Sequence, residues 1–267
     1  RAVPTHSITG GSRMRAVAFA LVLLCLMGCT TQNRGGTAVN QDEVAARAIE
    51  LGTAYLRQGD YGRAKDNLMK ALAIDDQSAP AHHTLAIVLQ QEREFELAES
   101  YFRRAIALAP EMIAARNNFG GFLYAQGRPG EAVEQLTIAT EDRFYELRPQ
   151  AFENLAVAFL ALDDRLAARN AFERAEALNP RLPRTLLELT LLHLEDQNYT
   201  AAKALYLRHR AIASESARSL SACAKIYAIF LDAAERSRCT ADLIRIYPTS
   251  MEALELVKGT QGGVDGR

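Results

Sequence analysis

The sequence has no tryptophan, only 8 prolines in 267 residues, and no excess of either charge, with 31 Lys+Arg against 32 Asp+Glu. A net charge of −1 removes the basic field on which nucleic-acid binding rests. The apolar run Ala16–Met27 falls short of the roughly 20 residues that span a bilayer. There is no HExxH, no glycine-rich phosphate loop and no GxSxG, so the common signatures of metalloprotease, nucleotide and serine-hydrolase chemistry are missing. His82 and His83 are adjacent, about 100° apart on a helix, and cannot chelate as an i, i+4 pair would. His193 and His209 fall at core-like positions. No metal, cofactor, nucleic acid or small-molecule substrate is expected. What is present is Ala and Leu in long stretches, with 49% hydrophobic residues. That composition favours helices and is too apolar for a disordered chain.

The N-terminal part reads as an address. Residues 1–13 lack periodicity and precede Met14, so they are taken as lying upstream of the native start. From Met14, Arg15 and the 12-residue apolar run have the dimensions of a signal peptide, residues 14–28. The run closes Leu26-Met27-Gly28-Cys29, which resembles a bacterial lipobox. That resemblance implies a diacylglycerol on the Cys29 thiol and an acyl chain on its amine, and several acyl chains anchor firmly. Small Gly28 leaves the backbone open to a peptidase. Thr30, a residue other than Asp, implies sorting to the outer membrane. Residues 29–44 then read as the lipidated cysteine and a polar tether.

From Ala45 the sequence repeats every 34 residues. Leu51-Gly52, Tyr55, Ala64, Leu68 and Ala71 recur as Leu85-Ala86, Leu89, Ala98, Phe102 and Ala105, then as Phe119-Gly120, Leu123, Ala132, Leu136 and Ala139. After a two-residue insertion come Leu155-Ala156, Phe159, Ala168, Phe172 and Ala175, then weaker copies around Leu189 and Cys223. The pattern resembles the tetratricopeptide repeat. It implies an all-α, right-handed superhelical solenoid of five to six helical hairpins over 45–256, with units at about 45–78, 79–112, 113–148, 149–182, 183–216 and 217–250. Residues 257–267 are expected to be a disordered tail. Gly59, Gly127 and Gly130 are assigned to turns within units, and bulky His209 predicts irregular packing in unit five.

Such arrays carry a concave groove lined by the first helix of each unit. Positions two, five, nine and twelve of those helices place Ile49, Thr53, Leu56, His83, Ile87, Asn117, Tyr124 and Val157 in a protein-binding groove. Ile49 and Thr53 stand where a carboxylate clamp would need Lys and Asn, which argues against a clamp. Ile49, Leu56, Ile87 and Tyr124 suggest an apolar groove instead, although some of these residues would equally well pack on neighbouring helices. Cys223 and Cys239 are symmetric about Leu231, the expected turn of the last hairpin. Antiparallel helices would face them for a disulfide in an oxidising compartment, the alternative being two buried thiols.

Several stretches are more particular: LGTAYLRQGDYGRAKDNLMKAL, YFRRAIALAP, and above all Asn117-Asn118-Phe119-Gly120-Gly121-Phe122-Leu123. With the insertion before Pro149, they resemble the outer-membrane pilotins of type IV pilus biogenesis, the PilF or PilW family. The resemblance implies a non-catalytic lipoprotein on the periplasmic face of a Gram-negative outer membrane. Such a protein binds the secretin subunit, promotes its targeting and multimerisation, and so serves pilus biogenesis and twitching motility. A lipid-anchored adaptor for peptidoglycan enzymes would share the same anchor and groove.

Overall fold

The computed structural model describes residues 1–2 and 40–261. Residues 3–13, the signal peptide, Cys29, the expected tether as far as residue 39, and residues 262–267 lie outside the described residues. The chain divides after Val44 into two units, and the second carries the array. The described residues contain thirteen helices and no strand. They are α1 (Gln41–Arg57), α2 (Tyr61–Ile74), α3 (Ala79–Gln91), α4 (Phe95–Leu108), α5 (Ile113–Ala125), α6 (Pro129–Glu141), α7 (Arg148–Ala161), α8 (Arg165–Leu178), α9 (Pro183–Glu195), α10 (Tyr199–Ile212), α11 (Ala217–Ile229), α12 (Ala233–Ile246) and α13 (Met251–Gln261). Helices α1 to α12 form six hairpins.

One turn serves all six. In each, the middle residue adopts a left-handed backbone: Gly59 at φ 75°, Arg93 at 66°, Gly127 at 74°, Asp163 at 60°, Gln197 at 61° and Leu231 at 56°. The next residue donates its N–H five residues back, as Asp60 does to Tyr55 at 2.9 Å and Asp232 to Tyr227 at 3.0 Å. This is the Schellman closure, which satisfies carbonyls stranded at a helix C-terminus. The donating residue then begins the second helix. Asp60, Asp164, Asn198 and Asp232 cap it by accepting from the N–H three residues on. Only two of the six left-handed positions are glycine. Gly130, assigned to a turn from sequence, instead lies in the first turn of α6, because Pro129 already starts that helix.

Between the two helices of a unit, position eight of the first meets position 24 of the second. A Cβ on Gly52 would lie 2.7 Å from Leu68 Cγ, and one on Gly120 would lie 2.5 Å from Leu136 Cγ. Where position 24 is Phe102 or Phe172, position eight is Ala86 or Ala156, and all four are buried. The branched Leu excludes a methyl that the flat ring admits. Large side chains then fill the spaces between units. Phe102 lies 5.6 Å from Phe119 and 5.5 Å from Phe122, centroid to centroid, within the range of favourable aromatic contact.

The apolar cluster runs unbroken from Ala64 to Leu205. A second cluster begins at Tyr206 and occupies unit six, with Ala253 of α13. His209 is buried near this break, and its Nδ1 lies 2.9 Å from the Pro183 carbonyl oxygen. That oxygen only accepts, so Nδ1 carries the proton.

Two boundaries differ from the sequence reading. The first helix begins at Gln41 rather than Ala45, with the Asn40 side chain accepting from the Asp42 N–H at 3.1 Å. At the other end, α13 runs on to Gln261, into the segment expected to be disordered. Ala253 and Leu256 hold it against the last cluster. It starts 34 residues after α11, and so is the first helix of a seventh unit.

Candidate protein-binding groove

The first helices stack through polar contacts that pass from unit to unit. Asn118 Nδ2 lies 2.9 Å from His83 Nε2, and Asn154 Nδ2 donates to Asn117 Oδ1 at 3.2 Å. Glu153 accepts from the Thr185 hydroxyl at 2.6 Å and from its N–H at 3.0 Å. Glu188 takes two hydrogen bonds from the Arg218 guanidinium, at 2.6 and 2.9 Å. Burial pushes the His83 imidazole down to about 4, so at neutral pH it is uncharged and Nε2 accepts from Asn118. The Arg218 guanidinium is held charged above its ordinary range, first by its hydrogen bonds to Glu188.

Of the concavities along these helices, two lie beside these polar contacts. One, of about 330 Å³, is lined by Ile87, Gln90, Asn117, Asn118, Gly121 and Asn154, among others. No ionisable group lines it. The other, of about 300 Å³, has Leu160, Leu191 and Leu194 beside Glu188, Arg218 and Lys225.

Of the eight groove residues expected from sequence, the structure brings Ile87 and Asn117 into the first concavity. His83 is buried behind it, on Asn118. Ile49, Leu56 and Ile87 pack partly against the main cluster. The Thr53 hydroxyl is turned onto the Ile49 carbonyl at 2.8 Å. Tyr124 is exposed, whereas Val157 is buried in the core. Two expectations are therefore corrected. Val157 belongs to the core rather than to the groove surface, because it packs between units. And the groove is not apolar across units two to four, where amides dominate its lining.

The residues missed are Asn118, Asn154 and Glu188, which occupy position six of units three, four and five. A helix turns 100° per residue, so position six flanks position nine on the same face. The recurrence of a polar residue at this one position was the available signal.

Gly121 shares the concavity with these amides, and a Cβ added to it meets nothing within 4 Å. On the insertion loop between α6 and α7, Tyr145 lies beside Asn117, and burial pushes its hydroxyl above the ordinary tyrosine range. Its neighbour Phe144 is 98% exposed.

At the C-terminal end, Cys223 and Cys239 are joined in a disulfide with their Cα atoms 6.0 Å apart. Leu231, on which the symmetry argument turned, is the left-handed residue of that hairpin. Glu235 lies close to both sulfurs, but sulfurs bonded to each other offer no thiolate to a metal. Arg238 Nη2 approaches Cys239 Sγ to 3.2 Å. No helix among the described residues is long and apolar enough to cross a membrane.

Six hairpins of one design, with small residues where helices touch and a concave face built from the first helices, define a tetratricopeptide-repeat protein. The tetratricopeptide repeat family model matches residues 49–112 and 83–150. The type IV pilus assembly protein PilF of Pseudomonas aeruginosa is 36% identical over 245 residues, which cover 91% of this chain and 97% of that protein. A solved structure from the functional characterisation of P. aeruginosa PilF superposes with a TM-score of 0.80 at 35% identity, over 82% of this chain and 99% of that one. The structure of PilW, described as a widely conserved type IV pilus biogenesis factor, gives a TM-score of 0.69 at 23% identity, over 80% of this chain and 98% of its own. The chain belongs to the PilF family of tetratricopeptide-repeat proteins of type IV pilus biogenesis.

Proposed function

We propose that the protein is a non-catalytic adaptor of the type IV pilus machinery. Held at the outer membrane by acyl chains on Cys29, it binds the secretin subunit along its concave face and promotes targeting and multimerisation. It needs no cofactor beyond that lipid. The observation that carries this reading is similarity to PilF over 97% of that protein's length. The open face of the first helices, with those two concavities, gives the array a place to hold a partner. A secretin subunit before assembly exposes unpaired strand edges and apolar surface, and an anchored solenoid could shield both during transit.

The test is retention of the secretin subunit by the purified protein. Ile49→Asp with Leu56→Asp should weaken retention while circular dichroism stays helical. Normal retention would remove unit one from the binding face. Capture of a peptidoglycan hydrolase or synthase in place of secretin would replace this reading. Cys29→Ala should release the protein from membranes.

A further inference from the structure

Two adjacent glycines in α5 differ in what surrounds them. Gly120 is required by packing, since its missing Cβ would meet Leu136. Gly121 has no such reason. It is in mid-helix, where glycine is unfavourable, yet a Cβ there would enter open space. That space is the concavity shared with Gln90, Asn118 and Asn154. A glycine kept without a packing need lets another backbone approach closely.

The lining fits a backbone. It has no ionisable group, so it gives a charged side chain no counter-charge. Each amide both donates and accepts, as a peptide bond does. Asn118 and Asn154 each spend an N–H on a neighbour, which leaves their carbonyl oxygens to accept. Packed helices are about 8–10 Å apart. Three residues of extended, polyproline-II-like chain rise by about 9.3 Å. Asn118 of α5 and Asn154 of α7, both at position six of their units, can therefore meet peptide units three apart in such a segment, with Gln90 of α3 further along the same concavity.

We propose that this concavity of units two to four grips an extended segment of the partner protein by its main chain, laid across Gly121. The inference rests on the secretin reading above and names the kind of segment recognised.

The probes are overlapping 15-residue peptides covering the secretin subunit, read by fluorescence anisotropy, with retention of the full-length subunit measured in parallel. At least one peptide should bind. Asn118→Ala and Asn154→Ala should each weaken it by about 3–10-fold, the range of one lost hydrogen bond. Gly121→Ala should weaken binding while raising the melting temperature by about 2–4 °C, and Gly121→Leu should abolish binding with the fold retained. N-methylation of the peptide at every third amide should abolish binding, whereas Ala replacement of its side chains should change it less than threefold. Binding that survives N-methylation but not side-chain removal overturns the proposal, as does binding indifferent to all the variants. If full-length secretin is retained but no peptide binds, the main-chain inference fails and the secretin reading stands. If neither is retained, both fail.

Discussion

The neighbouring glycines of α5 make an internal control. Gly120→Ala and Gly121→Ala add the same methyl to the same helix, so each gains about 1 kcal/mol of helix propensity. They differ in what the methyl meets. At Gly120 it would stand 2.5 Å from Leu136 Cγ and 2.9 Å from Cδ2, where carbon atoms prefer about 3.5–4.0 Å. Leu136 is fully buried and cannot retreat by an ångström without moving α6 against α5. Overpacking of this kind destabilises by about 1–3 kcal/mol. At Gly121 the methyl meets nothing, so only the propensity gain remains. The propensity cancels in the comparison, leaving Gly121→Ala the more stable of the two by about 1–3 kcal/mol. For a domain of this size that is a separation of roughly 2–10 °C in melting temperature. Urea unfolding with an unchanged m-value checks that stability rather than compactness has moved. Joining Gly120→Ala with Leu136→Phe recreates the Ala86/Phe102 pairing of unit two and should recover most of the loss. Equal stabilities for the two single variants, or no recovery in the double, would refute this account of why unit three carries a glycine pair.

Four further outcomes are expected. His83 is held neutral by burial, with its proton affinity lowered to about 4. Below about pH 6.5 the unfolded chain takes a proton that the folded chain refuses, so His83 makes stability fall from pH 6.5 to 4, by up to about 3 kcal/mol. His83→Gln, which keeps an acceptor for Asn118, should flatten that part of the stability curve. Cys223→Ser with Cys239→Ser should cost about 3 kcal/mol in the chain-entropy view of a 16-residue separation, while intact protein under non-reducing conditions should weigh two hydrogens less than the dithiol. Arg218→Met should destabilise by roughly 2 kcal/mol in thermal unfolding, because it strands a carboxylate whose side chain is 7% exposed. Phe144→Ser, at a side chain that is 98% exposed, should leave stability within about 0.5 kcal/mol yet lower secretin retention if the insertion loop touches the partner.

The repeat length, the hairpin count and the core were legible because each unit must solve one packing problem with the same positions. Leu68, Phe102, Leu136, Phe172 and Tyr206 recur at fixed spacing and are all fully buried. The turns were less legible. Glycine marks only two of six left-handed positions, since the Schellman closure compensates for Arg93, and the closure together with the following cap for Asp163, Gln197 and Leu231. The groove was least legible. Its character depends on a helix face that includes position six, and on whether an apolar residue such as Val157 or Ile49 turns towards the neighbouring unit or away from it. Periodicity places a residue on a side of its helix, but the next unit decides what covers it.

The disulfide gains its meaning from where the apolar cluster breaks. Units one to five share one core, and a second cluster ties Tyr206 and Leu194 of unit five to unit six. In a linear array, stability is the sum of each unit's own packing and its interfaces. The break falls within unit five, so unit six keeps apolar packing on Tyr206 and Leu194 but none on units one to four, and among the described residues no following hairpin covers it beyond the single helix α13. The Cys223–Cys239 bridge joins α11 to α12 within that hairpin, so it can strengthen the unit but cannot attach it to unit five. Attachment rests on that short apolar joint, where Tyr206 meets Tyr227 edge to face at 6.4 Å, and on polar contacts: Arg210 with Glu235, Arg238 with Glu215, and the Tyr247 hydroxyl donating to the Glu215 carbonyl at 2.7 Å. Exposed ion pairs add little to such a joint. Opening where the two clusters meet, at α10, is thus the lowest-energy breach of the array, with unit six still folded while the bridge holds. Hydrogen exchange should show this, with amides of α10 and α11 at the junction exchanging before those of α5 and α7. Uniform protection along the array would mean that the two clusters are coupled as tightly as one shared core.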